Sequence, residues 1–320
     1  TEDLGMAFGG FMAALRCESS CLPEYLFYIL TSKAFLKRLS SLSDGANINN
    51  LKFSQIEDFD FPLPPLAEQQ RIVAKLDAAF AEIDTAIKAV ENCVESLEGF
   101  FENFLDTELF CLKNDFKVKR VKDFGKAKGG KRLPKGVNFS PSKTSHPYLR
   151  IVDFSDGGDI DETNLKYIDN DVFSKISKYT ITNKDVYIAI VGATIGKTGI
   201  IQSYLKGANL TENAAKIVLT GDCSAKYFYY CSRAKFFKQQ VLKKARAAAQ
   251  PKLALERLET IEVPVPNDSQ QNILVEKFDN VSKEIESVKN LYLKKLSNFY
   301  NLKTSILASI LSVNTKEDAA

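Results

Sequence analysis

Phe61–Leu112 reads FPLPPLAEQQRIVAKLDAAFAEIDTAIKAVENCVESLEGFFENFLDTELFCL, and it decides the architecture of the chain. Pro62, Pro64 and Pro65 cannot continue a helix but suit the residues just before one. From Leu66 onward the stretch has no further proline and one glycine, Gly99. Val73, Phe80, Ile87, Val94 and Phe101 recur every seven residues, and Leu76, Ile83, Val90, Leu97 and Phe104 recur at the same step on an adjacent line. Steps of three and four between the lines make a coiled-coil seam. A helix of this length is a rod of roughly 70 Å. In a chain of 320 residues such a rod is a spacer, an arm or a dimerisation element, with a long core helix as the plainer alternative.

The stretch returns at an offset of 202 residues. Val263-Pro264-Val265-Pro266 repeats Phe61-Pro62-Leu63-Pro64, and Gln69, Lys75 and Asp77 become Gln271, Lys277 and Asp279. Upstream, Tyr25, Tyr28, Phe35 and Leu51 become Tyr227, Tyr230, Phe237 and Leu253. Downstream, Phe278, Ile285, Tyr292, Phe299 and Ile306 recur every seven residues, with Val281, Val288 and Leu302 on the neighbouring line. The chain is therefore a long-period duplication, globular segment then rod, twice over. Two rods in one chain pair most simply with each other. The counterparts of Asp115–Gln202 would precede Thr1, so the first globular unit is expected to lack its front part.

Composition bounds the remaining possibilities. The chain is 45% hydrophobic and 26% charged, the balance of a soluble globular protein. The net charge of +3 decides nothing taken whole. No apolar run approaches the roughly 20 residues that span a bilayer, and no signal peptide is visible. Six scattered cysteines and a single histidine, His146, argue against a zinc site and for free thiols in a reducing cytoplasm.

The expected divisions are 1–64 (end of a first domain), 65–112 (first rod), 113–266 (second domain), 267–313 (second rod) and 314–320 (a polar tail). Pro23–Ser41 reads as a helix that recurs as Ala225–Lys244. Ser43–Asn50 reads as a polar loop, Ser54–Asp58 as a capped turn, and Phe59–Leu63 as a short strand. Asp185–Val191, Thr198–Ile201 and Ala215–Leu219 read as strands. Lys113–Arg150 carries twelve Lys/Arg against two Asp, centred on the glycine-hinged loop Gly129–Gly136, and an acidic run from Asp153 to Asp171 follows. That asymmetry suggests one face aimed at an anion and another kept away from it. Arg233–Arg257 adds eight Lys/Arg against Glu256.

Catalytic signatures are weak. Gly192-Ala193-Thr194-Ile195-Gly196-Lys197-Thr198 is one residue short of a P-loop, because Val191 stands where the first glycine belongs. The expected strand after it offers no helix N-terminus to a phosphate. One histidine in a Ser-His-Pro loop cannot build a Ser/His/Asp set. Basic, glycine-containing loops on aromatic-rich units fit nucleic acid instead: Lys and Arg neutralise phosphates, and loop Asn, Gln, Arg and Ser read base edges. A non-enzymatic coiled-coil adaptor whose basic patches are merely solvated is the alternative of a different class. A small NTPase using Lys197 is a third.

The run Pro62-Leu63-Pro64-Pro65-Leu66-Ala67-Glu68-Gln69-Gln70-Arg71-Ile72-Val73-Ala74-Lys75-Leu76-Asp77 resembles the start of the conserved helix in specificity (S) subunits of Type I restriction–modification systems, with a degenerate second copy at Val263–Asp279. The Gly130–Gly136 loop, Tyr148-Leu149-Arg150…Asp153 and the Gly192–Lys197 turn resemble elements of that family's target recognition domains. The resemblance covers nearly the whole chain. It implies an α+β fold: two α/β target recognition domains, the first incomplete, separated by two long helices that form an antiparallel coiled coil. It implies a non-catalytic, cytoplasmic subunit that reads one half of a bipartite target in double-stranded DNA with each domain. Methyltransferase (M) subunits, which bind S-adenosylmethionine, and restriction (R) subunits would dock on it, while the chain itself would hold no cofactor and no metal.

On this reading Lys131, Arg132, Lys135, Lys197, Arg246 and Lys252 are the candidates for phosphates. Asn138, Ser142, His146, Arg150, Thr211, Asn213 and Gln250 are the candidates for base edges. The seam candidates are Phe80, Ile83, Ile87, Val90, Val94, Leu97, Phe101 and Phe104 on one rod and Phe278, Ile285, Tyr292, Phe299 and Ile306 on the other. Exposed Glu91 and Glu98 would face the methyltransferase. Four residues inserted after Val90 add about 6 Å and slightly more than one turn, which nearly restores the seam. In a complete subunit the insertion is expected to lengthen the unread spacer of the target by one or two base pairs, at about 3.4 Å each, without changing either half-site; mapping methylated sites checks this.

Overall fold

The computed structural model describes residues 14–42, 56, 58–115, 117–245 and 252–317. Ser43–Asn50, most of Ser54–Asp58, and Arg246 and Gln250 lie outside the described residues. In order, the elements are α1 (Pro23–Thr31), α2 (Lys33–Leu42), α3 (Leu66–Asp115), β1 (Val118–Arg120), α4 (Val121–Phe124), β2 (Gly125–Gly129), β3 (Pro147–Leu149), β4 (Lys166–Tyr167), α5 (Asn170–Ile176), β5 (Asp185–Ala189), β6 (Thr198–Gly199), β7 (Asn209–Leu210), β8 (Ala214–Leu219), α6 (Ala225–Arg233), α7 (Lys235–Lys244), α8 (Leu255–Leu258), β9 (Glu262–Pro264) and α9 (Asp268–Glu317). The chain divides into two compact units, Thr1–Glu95 with Lys289–Ala320, and Ser96–Val288. The division falls inside both long helices, so each unit holds the beginning of one and the end of the other.

The second unit is built on an antiparallel sheet of order β2-β8-β5-β6. Every residue of β5 is buried, because the sheet has a core on each face. Side chains alternate across a strand, so Val186 and Ile188 join a core with Phe124, Phe228 and Phe237. Tyr187 and Ala189 face a second core with Leu149, Ile160 and Leu210. Phe101, Leu105 and Leu109 of α3 and Phe278 of α9 close the first core. A three-stranded sheet, β4-β3-β7, contributes Leu149, Tyr167 and Leu210 to the second core, and β1 pairs with β9. In the first unit, Tyr25, Tyr28 and Ile29 of α1 pack with Ile72 and Leu76 of α3 and Leu307 of α9.

The duplication extends to individual hydrogen bonds. Gln69 is fully buried; its side-chain carbonyl accepts from Leu22 N–H at 2.8 Å, and its amide donates to Ser20 O and Pro64 O, both at 2.8 Å. Gln271 accepts from Ser224 N–H at 2.9 Å and donates to Asp222 O at 2.5 Å and Pro266 O at 2.9 Å. Each partner is displaced by the same 202 positions. Tyr25 donates to Pro62 O as Tyr227 does to Pro264 O, and Tyr28 to Asp77 as Tyr230 to Asp279, both at 2.5 Å. Burial first, then the hydrogen bond to the carboxylate, pushes the Tyr28 and Tyr230 hydroxyls well above the usual phenol range.

The long helices run antiparallel within each unit. Lys303 pairs with Asp84 at 2.8 Å and stands 4.6 Å from the Phe80 ring centre, and Lys277 pairs with Glu108 at 2.7 Å. Of the seam candidates, Ile83, Ile87, Val90, Phe101 and Phe278 are buried, while Phe80, Val94, Leu97, Phe104, Ile285, Tyr292, Phe299 and Ile306 are half-buried.

Several expectations are corrected. After Phe101 the buried track on α3 steps by four, to Leu105 and Leu109, because here the helix faces a globular core and keeps its own 3.6-residue period. On α9 the neighbouring line runs through Lys289, Leu296, Lys303 and Ile310, one residue beyond Val288 and Leu302, which are exposed. Two of those four are lysines, whose stems cover apolar surface with the charge kept outside. The helix expected over Pro23–Ser41 breaks at Ser32, and its repeat breaks at Ala234; both residues adopt extended backbone. Phe59–Leu63 is not a strand: its repeat is β9, which exists by pairing with β1, and no described strand pairs with Phe59–Leu63. Helix α9 continues to Glu317, through residues assigned to a tail.

Replacing Gln271 by Leu strands one buried N–H and two carbonyls, and is expected to cost about 3 kcal/mol. Gln69→Leu should do the same in the first unit. Denaturant unfolding measures the loss, and amide exchange should quicken at Ser224 in the first variant and at Leu22 in the second.

Candidate nucleic-acid interface

The register of the four-stranded sheet gathers several loops at one end. Gly129 is opposite Ala215, and Ala189 is opposite Ala214, so the chain after β2, after β5 and before β8 leaves or enters there. Gly130 N–H donates to Ala214 O at 3.0 Å and Lys131 N–H to Leu210 O at 2.8 Å. Ile190 N–H donates to Asn213 O at 2.9 Å, and Leu253 N–H to Ile190 O at 2.9 Å, beside a bridge between Val191 and Lys252. Lys131, Arg132, Thr211, Asn213 and Lys252 thereby come together, although they are up to 121 positions apart in the sequence.

Gly130 makes this convergence possible. A Cβ there would lie 2.0 Å from Thr211 O and 2.2 Å from Leu210 O, so only glycine lets the basic loop lie on the β7–β8 backbone. Beyond it Lys135, Asn138 and Ser142 are exposed, with Gly136 at φ +81° turning the loop. Leu133, Val137 and Phe139 on the same loop pack against Tyr148 and Ile168. Apolar residues thus hold the loop down while its polar residues face solvent.

The charges are interleaved, contrary to the expected separation of basic and acidic faces. Arg132 Nε donates to Glu212 Oε1 at 2.6 Å. Burial opposes ionisation of Glu212, but hydrogen bonds from Arg132, its own backbone and Thr211 outweigh burial and hold its pKa below the ordinary carboxylate range. Lys197 pairs with Asp156 at 2.7 Å. Arg150 donates to both oxygens of buried Asp153, at 2.6 and 3.1 Å, and to Asn164 O at 2.9 Å. Two of these pairs join residues far apart in the chain, and the third closes within four residues.

His146 and Arg150 are therefore poorly disposed to read bases. His146 stacks on Phe173 at 4.0 Å and hydrogen-bonds Asn170 at 2.6 Å, while Arg150 closes a local turn. Thr211 is buried, and its hydroxyl donates to Glu212 at 3.0 Å. Lys131 stands 5.8 Å over the Tyr179 ring centre, leaving its ammonium exposed; Lys252 is exposed too. Lys126 and Lys128, which the sequence reading passed over, extend the basic end along the outer strand β2 as its exposed residues. Their signal was the two-residue alternation in Gly-Lys-Ala-Lys-Gly. The Gly192–Lys197 turn closes with Gly192 and Gly196 at positive φ and leads into β6, not a helix, so it has no phosphate-binding helix start.

Comparison with known proteins agrees with this architecture. The profile of the Type I restriction modification DNA specificity domain matches residues 6–92 and 113–309. The chain is 25% identical over 202 residues to the EcoKI specificity subunit of Escherichia coli K12, covering 61% of this chain and 43% of that protein. It is 21% identical over 314 residues to the EcoBI specificity subunit of Escherichia coli, covering 88% and 64%. It is 38% identical over 94 residues to the StySPI subunit of Salmonella potsdam, covering 29% and 20%. The chain thus spans less than two thirds of the length of these relatives. A solved structure from work on assembly and conformational transition of the type I R-M system shares the fold, with a TM-score of 0.64 at 16% identity, over 90% of this chain and 70% of that one.

Gly130→Ala is expected to lower stability by about 2 kcal/mol or more, since backbone must move, and to speed amide exchange at Lys131. Gly136→Ala, strained in φ but open to space, should cost nearer 1 kcal/mol. Urea unfolding of the two variants checks the order.

Proposed function

The chain belongs to the family of Type I restriction–modification DNA specificity domains, and from that premise we propose that it is a DNA-recognition subunit with no catalysis of its own. Its second unit meets duplex DNA with the sheet end that carries Lys131, Lys135, Lys252, Arg132 and the outer-strand lysines. The observation that carries this reading is the convergence of separate basic loops on one sheet end, anchored by the close approach of Gly130. Lysines there bind phosphates and set register. Asn138, Ser142 and Asn213 offer donors and acceptors to base edges. Arg246 and Gln250 remain candidates on sequence grounds.

The duplication supports one half-site per recognition unit of a bipartite target. The M subunits, carrying S-adenosylmethionine, and the R subunits are the proposed partners of the long helices, in the cytoplasm. Among the described residues no helix is long and apolar enough to cross a membrane. An adaptor with solvated basic loops would need neither the gathered lysines nor the glycine that seats them.

Affinity for duplex DNA should fall steeply with salt, and Lys131→Ala and Lys252→Ala should each flatten the log–log slope by roughly one. Glu212→Gln, which removes a negative charge beside Arg132, should strengthen binding. Titrations at several salt concentrations test both; unchanged slopes would move the interface elsewhere, and salt-insensitive binding would favour the adaptor.

A further inference from the structure

Val152 is the most exposed large apolar side chain among the described residues, at 75%. A single exposed valine is ordinary on a protein surface, but this one is held in an unusual way. It is the middle residue of a short 3-10 turn, Ile151–Asp153, closed by Asp153 N–H donating to Arg150 O at 3.0 Å. Asp153, 2% exposed, accepts on its carboxylate from Arg150 N–H at 2.7 Å and from the Arg150 guanidinium at 2.6 and 3.1 Å. Ile151 packs against the second core and Phe154 belongs to it, so the neighbours of Val152 turn inward. Breaking a buried ion pair is costly, and the pair fixes the turn with the valine left outside.

Two contacts tie this turn to the basic sheet end. Leu149 lies opposite Leu210 in the parallel pair β3–β7, and Leu149 O accepts from Thr211 N–H at 3.0 Å. Leu210 O in turn accepts from Lys131 N–H at 2.8 Å, so the chain leaves β3 where the basic loop is seated. The Arg150 guanidinium stands 6.0 Å from the ring centre of Phe139, the loop residue next to Asn138. Val152 is therefore two residues from a side chain against the basic loop and three from the carbonyl bonded to Thr211. The other apolar residues of this region, Leu133, Val137 and Phe139, are half-buried against the core beneath the loop. Val152 alone adds a fully presented apolar group to the exposed lysines and amides gathered there.

We propose that Val152 is a specificity-determining residue of the second unit, one that reads the C5-methyl group of a thymine in the major groove. The inference rests on the DNA-recognition reading of this sheet end. Thymine is the base that presents an apolar group on its major-groove edge, and apolar side chains recognise it by contact. Lysines and amides cannot make that contact; a valine can. The clamp by Arg150 and Asp153 leaves the turn little freedom to lose on binding, which favours affinity. Arg150, occupied by Asp153 and by Asn164 O, acts here as a positioning residue for its neighbour and not as a reader of bases.

The test begins with duplexes that the 320-residue chain selects from a random-sequence pool. They are resynthesised with each thymine in turn replaced by deoxyuridine, which pairs alike but lacks the methyl group. At one position the replacement is expected to weaken binding by the unaltered chain about fourfold, the worth of one buried methyl group. Val152→Ala, at an exposed position, should bind the thymine duplex severalfold more weakly and no longer distinguish thymine from deoxyuridine there, with its salt slope unchanged. Val152→Ile should keep the distinction. A pool returned without sequence preference, indifference of the unaltered chain to every deoxyuridine, or the same discrimination by Val152→Ala would overturn the proposal. Binding that is absent or ignores salt would strike the DNA reading and this inference with it. Binding that falls steeply with salt but is blind to the methyl group would strike this inference alone.

Discussion

A buried glutamine at the head of each long helix is the constraint on which the rest of the structure depends. A primary amide has two donors and an acceptor with two lone pairs, and buried in an apolar core it must find partners for them. Gln69 and Gln271 do so with the chain entering the first short helix of each pair and with the proline-rich segment that leads into the long helix. Three backbone groups from two segments are tied to one side chain. The tyrosine bonds to Pro62 and Pro264, and to Asp77 and Asp279 eight residues down the helix, extend the tie along the same face. The polar contacts set where each helix starts and how it is rotated. The apolar pairs Ile72 and Leu76, and Leu274 and Phe278, then fill the space so defined.

The same kind of tethering explains the basic end of the second unit. Its loops have little regular structure, yet they are held. Backbone bonds stitch residues 130 and 131 to Leu210 and Ala214, and apolar residues of the loop dip into a core beneath. The acidic side chains nearby do not simply repel an anion. By pairing with Arg132, Arg150 and Lys197 they position some cations and neutralise others. Among the described residues Lys131, Lys135 and Lys252, with Lys126 and Lys128 of the outer strand, are exposed and meet no carboxylate.

Comparing the two units shows what a repeated sequence leaves undecided. Phe59–Leu63 and Ile261–Val265 carry the same alternation, with Ile261 at the place of Phe59 and Val263 at the place of Phe61, but only Glu262–Pro264 is a strand. A strand's backbone hydrogen bonds are made to another strand, so local pattern alone cannot create one.

The sequence by itself determined the duplication, the two long helices and the β character of Asp185–Leu219. Each rests on a local period or on a match at constant offset, and these survive without knowledge of the fold. The basic loop and its glycines were likewise legible as a candidate surface. Tertiary structure alone decided which cations remain available, since Arg132 and Glu212 are 80 positions apart and no local rule pairs them. It also decided the seam of the second helix, where Lys289 and Lys303 take positions that a search for apolar residues passes over. In each case the governing interaction joins residues far apart in the chain, and only a folded backbone brings such residues within hydrogen-bonding or van der Waals reach.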